Sequence, residues 1–197
     1  MKTVFIIVSS LLTVVCTLPY ILDVIKRKTK PREVTWLNWS LLAALAASAS
    51  LSDHQYAAAA LSFCGTIETL AVFVLGWRYG DKSIARFDIA CQTAAIIGLA
   101  LWFIFNSPAI AVLASITIDF IATLPTIRHS WQKPTEETWI TFFLAGIAAG
   151  FTVAAAKEAR ITSLANPIYL VAINLLLAGI IIYRHPSIKF RYGAGNA

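Results

Sequence analysis

The stretch VFIIVSSLLTVVCTLPYILDVI, residues 4–25, decides the fold. Its only charged residue is Asp23, which stands close to its end. A helix needs about 20 predominantly apolar residues to cross the ~30 Å hydrocarbon core of a bilayer. Because lipid offers the backbone no hydrogen-bond partners, a run of this length in lipid has to be helical. The stretch therefore predicts a first transmembrane helix over 3–25.

Comparable apolar runs continue along the rest of the chain. Hydrophobic residues make up 58% of the 197 residues and charged residues 13%, whereas soluble domains carry roughly a quarter charged residues. The expected fold class is an all-α integral membrane protein with seven transmembrane helices and the lipid bilayer as a partner. The net charge of +6 comes from basic residues in short loops beside the runs, so no nucleic-acid partner is predicted. The six further spans are predicted at 36–51, 56–77, 84–105, 109–127, 138–156 and 162–183.

The basic residues are distributed asymmetrically between the predicted loops. With the N-terminus outside, thirteen of the sixteen Lys and Arg residues fall in inside loops or the C-terminal tail. Only Lys2, Lys157 and Arg160 remain outside. Because Lys and Arg accumulate in cytoplasmic loops, we predict a plasma (inner) membrane protein with its N-terminus outside and its C-terminus in the cytoplasm.

Two short motifs occur twice at nearly the same spacing. Thr-Leu-Pro at 17–19 recurs at 123–125, a shift of 106 residues, and P-x-E-x-T-W at 31–36 recurs at 134–139, a shift of 103. Three helices followed by one linker helix place both copies in the same orientation. We therefore predict two parallel three-helix bundles plus a linker helix, a 3+1+3 plan. Its parts are a first repeat at 1–79, a linker helix at 80–106, a second repeat at 107–185 and a cytoplasmic tail at 186–197.

This plan resembles that of the SWEET sugar transporters and their wider PQ-loop relatives. The residues that carry the resemblance are Leu18-Pro19 with Ile25-Lys26-Arg27-Lys28, Leu124-Pro125-Thr126, Ser62-Phe63, Ile67-Glu68-Thr69, Asn166 and Tyr183-Arg184. Tyr20 and Thr126 stand where the family has the glutamine of its motif, and Leu61 stands where the family has a substrate asparagine. The resemblance implies transport of a small polar solute, of the sugar or amino-acid class, with prolines of this kind acting as hinges.

A polar stripe leads up to each of the matched prolines, Pro19 and Pro125. Ser9, Thr13 and Thr17 lie one helical turn apart, and the shift of 106 maps them onto Ser115, Asp119 and Thr123. Such a stripe is either the wall of a solute path or a set of small residues that hold membrane helices together. Asp119 favours the path, because a carboxyl group inside a membrane is expensive and usually faces a cavity. Because the prolines weaken equivalent helices, we predict that they are hinges.

Four further polar residues are candidates for the solute or proton path. Glu68 is an acid in the middle of the third span, and the shift of 106 maps it onto Asn174 in the seventh. Their equivalent positions predict that the two side chains converge near the axis between the repeats, where they bind solute or a proton or form a structural tie. Asn38 and Asn166 are weaker candidates. Asp88, near the inner interface, is expected to pair with Arg86 or Lys82.

The sequence leaves three functions to compare. The first is a transporter that works by alternating access between the two units, either proton-coupled through Asp119 and Glu68 or facilitative. The second is a non-transporting receptor or assembly factor of the same fold. The third, an enzyme, is disfavoured because the three histidines are in separate loops and no activated nucleophile or paired metal-binding acids are found. No catalytic residue, metal or cofactor is predicted, and the chain is compatible with a homo-oligomer.

Overall fold

The computed structural model describes residues 2–52, 54, 56–82, 85–102, 108–156 and 161–186. Within these ranges every regular element is a helix, which confirms the all-α prediction for the described part of the chain. Most of the predicted tail, 187–197, lies outside the described residues, as do Lys157 and Arg160. The helices are α1 (Lys2–Val15), α2 (Leu18–Ile25), α3 (Glu33–Ser52), α4 (Tyr56–Tyr79), α5 (Arg86–Trp102), α6 (Pro108–Gln132), α7 (Trp139–Ala155) and α8 (Ile161–Arg184), with a single 3-10 turn at Pro134–Glu136.

Three helical segments among the described residues are long and apolar enough to cross a membrane. They are Thr3–Ile25, which joins α1 and α2, Ala60–Tyr79 in α4 and Leu164–Arg184 in α8. The shorter helix Trp139–Ala155 is also apolar. Large apolar side chains on these helices point away from the protein, as residues facing lipid do. Examples are Leu11, Phe63 and Ile168, of which 62%, 60% and 52% are exposed.

The two matched prolines have different effects on their helices. The chain turns at Cys16 and Thr17, between α1 and α2, just before Pro19. Proline lacks an N–H and its ring collides with the carbonyl four residues earlier, which here belongs to Val15, so the break falls where the ring would clash. Pro125, by contrast, lies inside a continuous α6. α6 also runs on to Gln132, five residues past the predicted end of the span.

The helices pack in a pattern that occurs twice. In the first half of the chain α4 contacts both α2 and α3, and in the second half α8 contacts both α6 and α7. Between the halves, α1 packs on α7 and α3 packs on α6. The remaining helix, α5, packs on α6 and also touches α3. In each half the third helix thus contacts the other two, and the cross-contacts join the first helix of one half to the second helix of the other.

The largest buried cluster lies toward the helix ends that adjoin the loops after α2, α4 and α6. Tyr20, Trp36, Phe142 and Ile181 are each at most 3% exposed and belong to one apolar cluster with Val24, Val72, Leu177 and Ala178. A smaller cluster joins Ala95 of α5 to Ile118 and Ala122 of α6. Burial of large apolar side chains contributes about 1.5–3 kcal/mol each in water, and in lipid the same contacts act through close packing.

Candidate functional site

A cavity of about 480 Å³ lies between the two halves of the chain. Its walls come from the α1–α2 turn and from α3, α4, α6, α7 and α8. This volume is within the 300–1,000 Å³ typical of small-molecule sites. Five of the residues that the sequence placed on a solute path line it, namely Thr17, Ser115, Asp119, Asn166 and Asn174.

The other predicted path residues lie elsewhere. The Thr13 hydroxyl donates to the Ser9 carbonyl, 2.9 Å away, and the half-buried Glu68 interacts with the Thr17 hydroxyl. Asn38 is buried against α5, where its Nδ2 donates to Oε1 of Gln92 at 2.6 Å. Glu68 is not among the residues that line the cavity, whereas Asn174 and Thr69, the neighbour of Glu68 in α4, are.

Asp119 is the only carboxyl group among the cavity residues that the structure describes. Tyr169 of α8 donates its hydroxyl hydrogen to the Asp119 carboxylate. Trp39 of α3 and Thr123 also interact with this carboxyl group, and the Thr123 hydroxyl donates to the Asp119 carbonyl at 2.7 Å. Ser115, of the same stripe, donates to the Val112 carbonyl at 2.8 Å. The carboxyl group thus sits where α3, α6 and α8 meet.

The polar stripe of Ser9, Thr13 and Thr17 makes two kinds of contact. Ser9 donates to the Ala148 carbonyl of α7 at 2.8 Å and lies 2.7 Å from the Thr152 hydroxyl. This part of the stripe joins α1 to α7. Thr17, two turns further along, lines the cavity. The contact between helices that one interpretation predicted is thus seen at Ser9, whereas the solute path stays a prediction for Thr17.

Aromatic side chains form one wall of the cavity. Trp39 of α3 and Phe142 of α7 both line it, with ring centroids 6.4 Å apart and an edge-on arrangement of 67°. The same shift of 103 that relates the P-x-E-x-T-W motifs maps Trp39 onto Phe142. Trp36 packs edge-on against Trp39, with ring centroids 4.9 Å apart, and its ring is tilted against that of Tyr20, with centroids 4.7 Å apart. Each half of the chain therefore supplies an aromatic residue to the cavity from an equivalent position.

Thr141 adds a polar group to the same wall. It lines the cavity and is only 4% exposed. Its hydroxyl has no hydrogen-bond partner among the protein atoms described. A buried hydroxyl without a partner costs about 1–3 kcal/mol. Thr141 is therefore a group that a polar solute in the cavity would satisfy.

The cavity is closed toward one face of the molecule. We call this the basic face; it carries the loops after α2, α4 and α6 and the end of α8. The apolar cluster around Tyr20 and Ile181 lies between the cavity and this face. In the other direction the lining reaches Val112, about one turn from the start of α6, and Asn166, within two turns of the start of α8. The cavity thus extends toward the opposite face.

Polar groups, some buried and some exposed, connect the two halves at the basic face. We call this set the basic-face cluster; it consists of Tyr20, Lys30, Arg32, Asp81, Asp88, His129, Lys133, Glu136 and Glu137. At its centre, Oε2 of Glu137 accepts a hydrogen bond from the Tyr20 hydroxyl at 2.8 Å. Oε1 of the same residue lies 2.8 Å from Nδ1 of His129. The Glu137 side chain is fully buried, so this carboxyl group joins α2 of one half to α6 of the other.

Ion pairs surround this centre. Arg32, with an 8% exposed side chain, pairs with the buried Asp88 of α5 and lies 3.7 Å from Asp81. The predicted pairing of Asp88 with Arg86 or Lys82 is therefore wrong. On the outer edge Lys133 pairs with Asp81, and Nζ of Lys30 donates to Oε1 of Glu136 at 2.6 Å. Residues from the loops of both halves are therefore held together by charge.

The pKa values of the loop carboxyl groups follow from these partners. Burial raises the pKa of Glu137, and its contacts with His129 and Tyr20 offset only part of that effect. Burial acts in the same direction on Glu136, but Lys30 and Lys133 outweigh it and lower the pKa of that residue. The hydrogen bond to Asp81 raises the pKa of Lys133.

His129 also lies close to two acids in a way that the sequence did not predict. Ligand atoms of Asp81, His129 and Glu136 lie within 4.8 Å of one another, a spacing that would suit a metal ion. Lys133 and Lys30 already bind the two carboxylates. A cation in this position would have to displace those ammonium groups, so the arrangement is better described as part of an ion-pair network.

Three residues of the site and its surroundings were not predicted from the sequence. Tyr169 stands among apolar residues of the seventh span, and only the fold brings it to Asp119. Phe142 could have been found, because the shift of 103 maps Trp39 onto it. Glu137 could not, since the same shift pairs it with Val34.

Comparison with protein-family models, with curated proteins and with solved structures found no match to this chain.

Proposed function

We propose that this chain is a membrane transporter of a small polar solute, of the SWEET and PQ-loop type, that works by alternating access. The observation that carries the proposal is the cavity between the two halves, lined by Asp119 and closed at the basic face. A site of this kind, near mid-membrane and between two repeats, is the common arrangement in transporters built from repeats. Opening the basic face while closing the opposite face would move the solute across.

The packing of the helices supports the 3+1+3 plan. In each half the third helix contacts the other two. A two-fold rotation that relates the two halves would exchange the α1–α7 contact with the α3–α6 contact. Under this plan α5 is the linker, and the units are 1–79 and 107–185. The break before Pro19 gives the first unit a point of flexure, whereas α6 is continuous through Pro125. We propose that bending at these prolines moves the two units relative to each other.

We propose that the basic-face cluster is the gate on this side of the membrane. Its ion pairs join the loops of both units, and they would have to separate before solute could leave toward the basic face. The apolar cluster around Tyr20 forms a second layer beneath it. The structure described here is then the conformation with the basic face closed.

The orientation is proposed from the charge asymmetry. We expect the basic face and the C-terminus to be cytoplasmic, because loops rich in Lys and Arg are retained on that side. A reporter enzyme active only in the cytoplasm, fused after residue 197, should be active, and one active only outside should be silent. The reverse pattern would refute the orientation.

Transport itself is tested by exchange in liposomes. We expect purified protein in liposomes loaded with unlabelled solute to take up the same labelled solute faster than protein-free liposomes do. The panel should contain one solute of each class: choline, lysine, serine and glucose. Exchange of at least one is the expected result. A protein that exchanges none of these classes would contradict the proposal and favour a receptor or assembly factor.

A further inference from the structure

We infer that the solute is a small organic cation, an amine that also carries a hydrogen-bonding group, and that its charged nitrogen binds Asp119. This inference rests on the proposed transport function, because it concerns the same cavity. Three features of the lining carry it: the charge, the aromatic wall and the unpartnered hydroxyl.

The charge of the cavity is one-sided. Among the lining residues that the structure describes there is one carboxyl group, that of Asp119, and no Lys, Arg or His. Tyr169 donates a hydrogen bond to the carboxylate but brings no positive charge. A carboxylate away from water needs a counter-charge or a proton. A cationic solute supplies that counter-charge, whereas an anionic solute would be repelled and a neutral sugar would leave the carboxyl group to be neutralised by a proton.

The aromatic wall suits the same ligand. Trp39 lines the cavity and also interacts with the Asp119 carboxyl group, so its ring lies beside the place where a bound ammonium group would sit. Phe142, from the other half of the chain, packs edge-on against Trp39 in the same wall, with ring centroids 6.4 Å apart. Aromatic faces attract cations through their quadrupole, most strongly for tryptophan and where water is excluded. A carboxylate beside aromatic rings is typical of sites that bind amines.

The second group on the solute is indicated by polar residues away from Asp119. The buried hydroxyl of Thr141 lines the cavity without a partner among the described residues. Asn166 and Asn174 contribute amide groups to the lining. An amino alcohol or an amino acid would place a hydroxyl or carboxyl oxygen among these donors. A volume of about 480 Å³ is ample for a solute of this size.

The test compares two ligands that differ in a single atom at the charged centre. Choline and 3,3-dimethylbutan-1-ol have the same shape, but the alcohol has carbon in place of the charged nitrogen. A ligand that binds only the folded protein raises its apparent stability by mass action. We expect choline chloride to raise the unfolding temperature of the purified protein relative to sodium chloride at equal ionic strength, and the neutral alcohol to have no effect.

Substitutions in the cavity test whether choline binds at Asp119. Asp119→Asn should weaken choline binding at least tenfold, and Asp119→Glu should retain more of it. Trp39→Leu should also weaken binding, although it keeps the carboxylate. Glu33→Gln, an acid-to-amide change at the basic face, is the matched control and should respond as the parent does. Equal shifts from the two ligands, no shift from choline, or full choline binding by Asp119→Asn would each overturn the inference.

The outcomes separate this inference from the proposed function. Choline that stabilises the protein, with none of the four solutes exchanged in liposomes, would support a cation-binding site and contradict transport. Exchange of glucose without binding of choline would support transport and overturn the cationic solute.

Discussion

Replacement of Asp119 by asparagine should abolish uptake driven by a pH gradient. Without solute, the Asp119 carboxylate has no positively charged neighbour among the described lining residues, so a proton is the available counter-charge. On the proposed mechanism the proton leaves when a cation binds, so that the cation and the proton cross the membrane in opposite directions. Asparagine has nearly the same shape as aspartate but binds neither the proton nor the cation. Since an ion pair at 4 Å is worth roughly 4 kcal/mol near a protein surface, we expect choline accumulation to fall at least tenfold.

The measurement is uptake of labelled choline into liposomes with an imposed pH gradient. Glu33→Gln serves as the control, because Glu33 lies at the basic face and outside the cavity lining. Accumulation by Asp119→Asn equal to that of the parent, with the same pH dependence, would show that Asp119 is not the coupling residue. The facilitative alternative would then replace the coupled one.

Replacement of Arg32 by glutamine should open the basic face and destabilise the protein. Arg32 is buried and pairs with Asp88, whose side chain is only 2% exposed. Removing one member of a buried ion pair leaves the other charge uncompensated, at a cost of about 3–5 kcal/mol. Since the pair belongs to the proposed gate, the closed conformation should lose more stability than the open one. We expect a lower unfolding temperature and faster labelling of Cys16, a cavity residue, from the basic face.

Lys30→Gln is the matched control for this change. Lys30 belongs to the same cluster, but its side chain is 45% exposed and its partner Glu136 is partly exposed. Exposed pairs contribute about 0–1 kcal/mol, so this variant should behave nearly as the parent does. Equal effects of the two substitutions would show that burial of the Arg32 pair does not hold the basic face closed.

Much of the fold was predictable because membranes impose simple rules. Apolar runs of spanning length, beginning with residues 4–25, each coincide with helices in the described structure. The P-x-E-x-T-W motif occurs twice, and the residues three positions after each copy, Trp39 and Phe142, both line the cavity. The seven-span topology and the two-unit plan remain predictions that the packing supports. The helix boundaries were less accurate, since α6 continues to Gln132.

The candidate site was predictable only where a charged residue lies deep within a predicted membrane span. Asp119 stood out because a carboxyl group is costly in a membrane, and it does line the cavity. Depth does not show which way a side chain points around its helix: Glu68, also deep, is not among the residues that line the cavity, whereas its neighbour Thr69 is. Tyr169 and the pairing of Arg32 with Asp88 depend on contacts between helices distant in sequence. No local pattern encodes those contacts.

Labelling of Cys16 from each side of the membrane tests alternating access most directly. Cys16 lines the cavity, and replacing Cys64 and Cys91 with serine leaves it as the only thiol in the chain. A membrane-impermeant thiol reagent is applied to one face at a time. We expect labelling from both faces, with Arg32→Gln accelerating labelling from the basic face and slowing it from the opposite face. Labelling from one face only, unaffected by Arg32→Gln, would contradict the account and leave a cavity that never opens to the basic face.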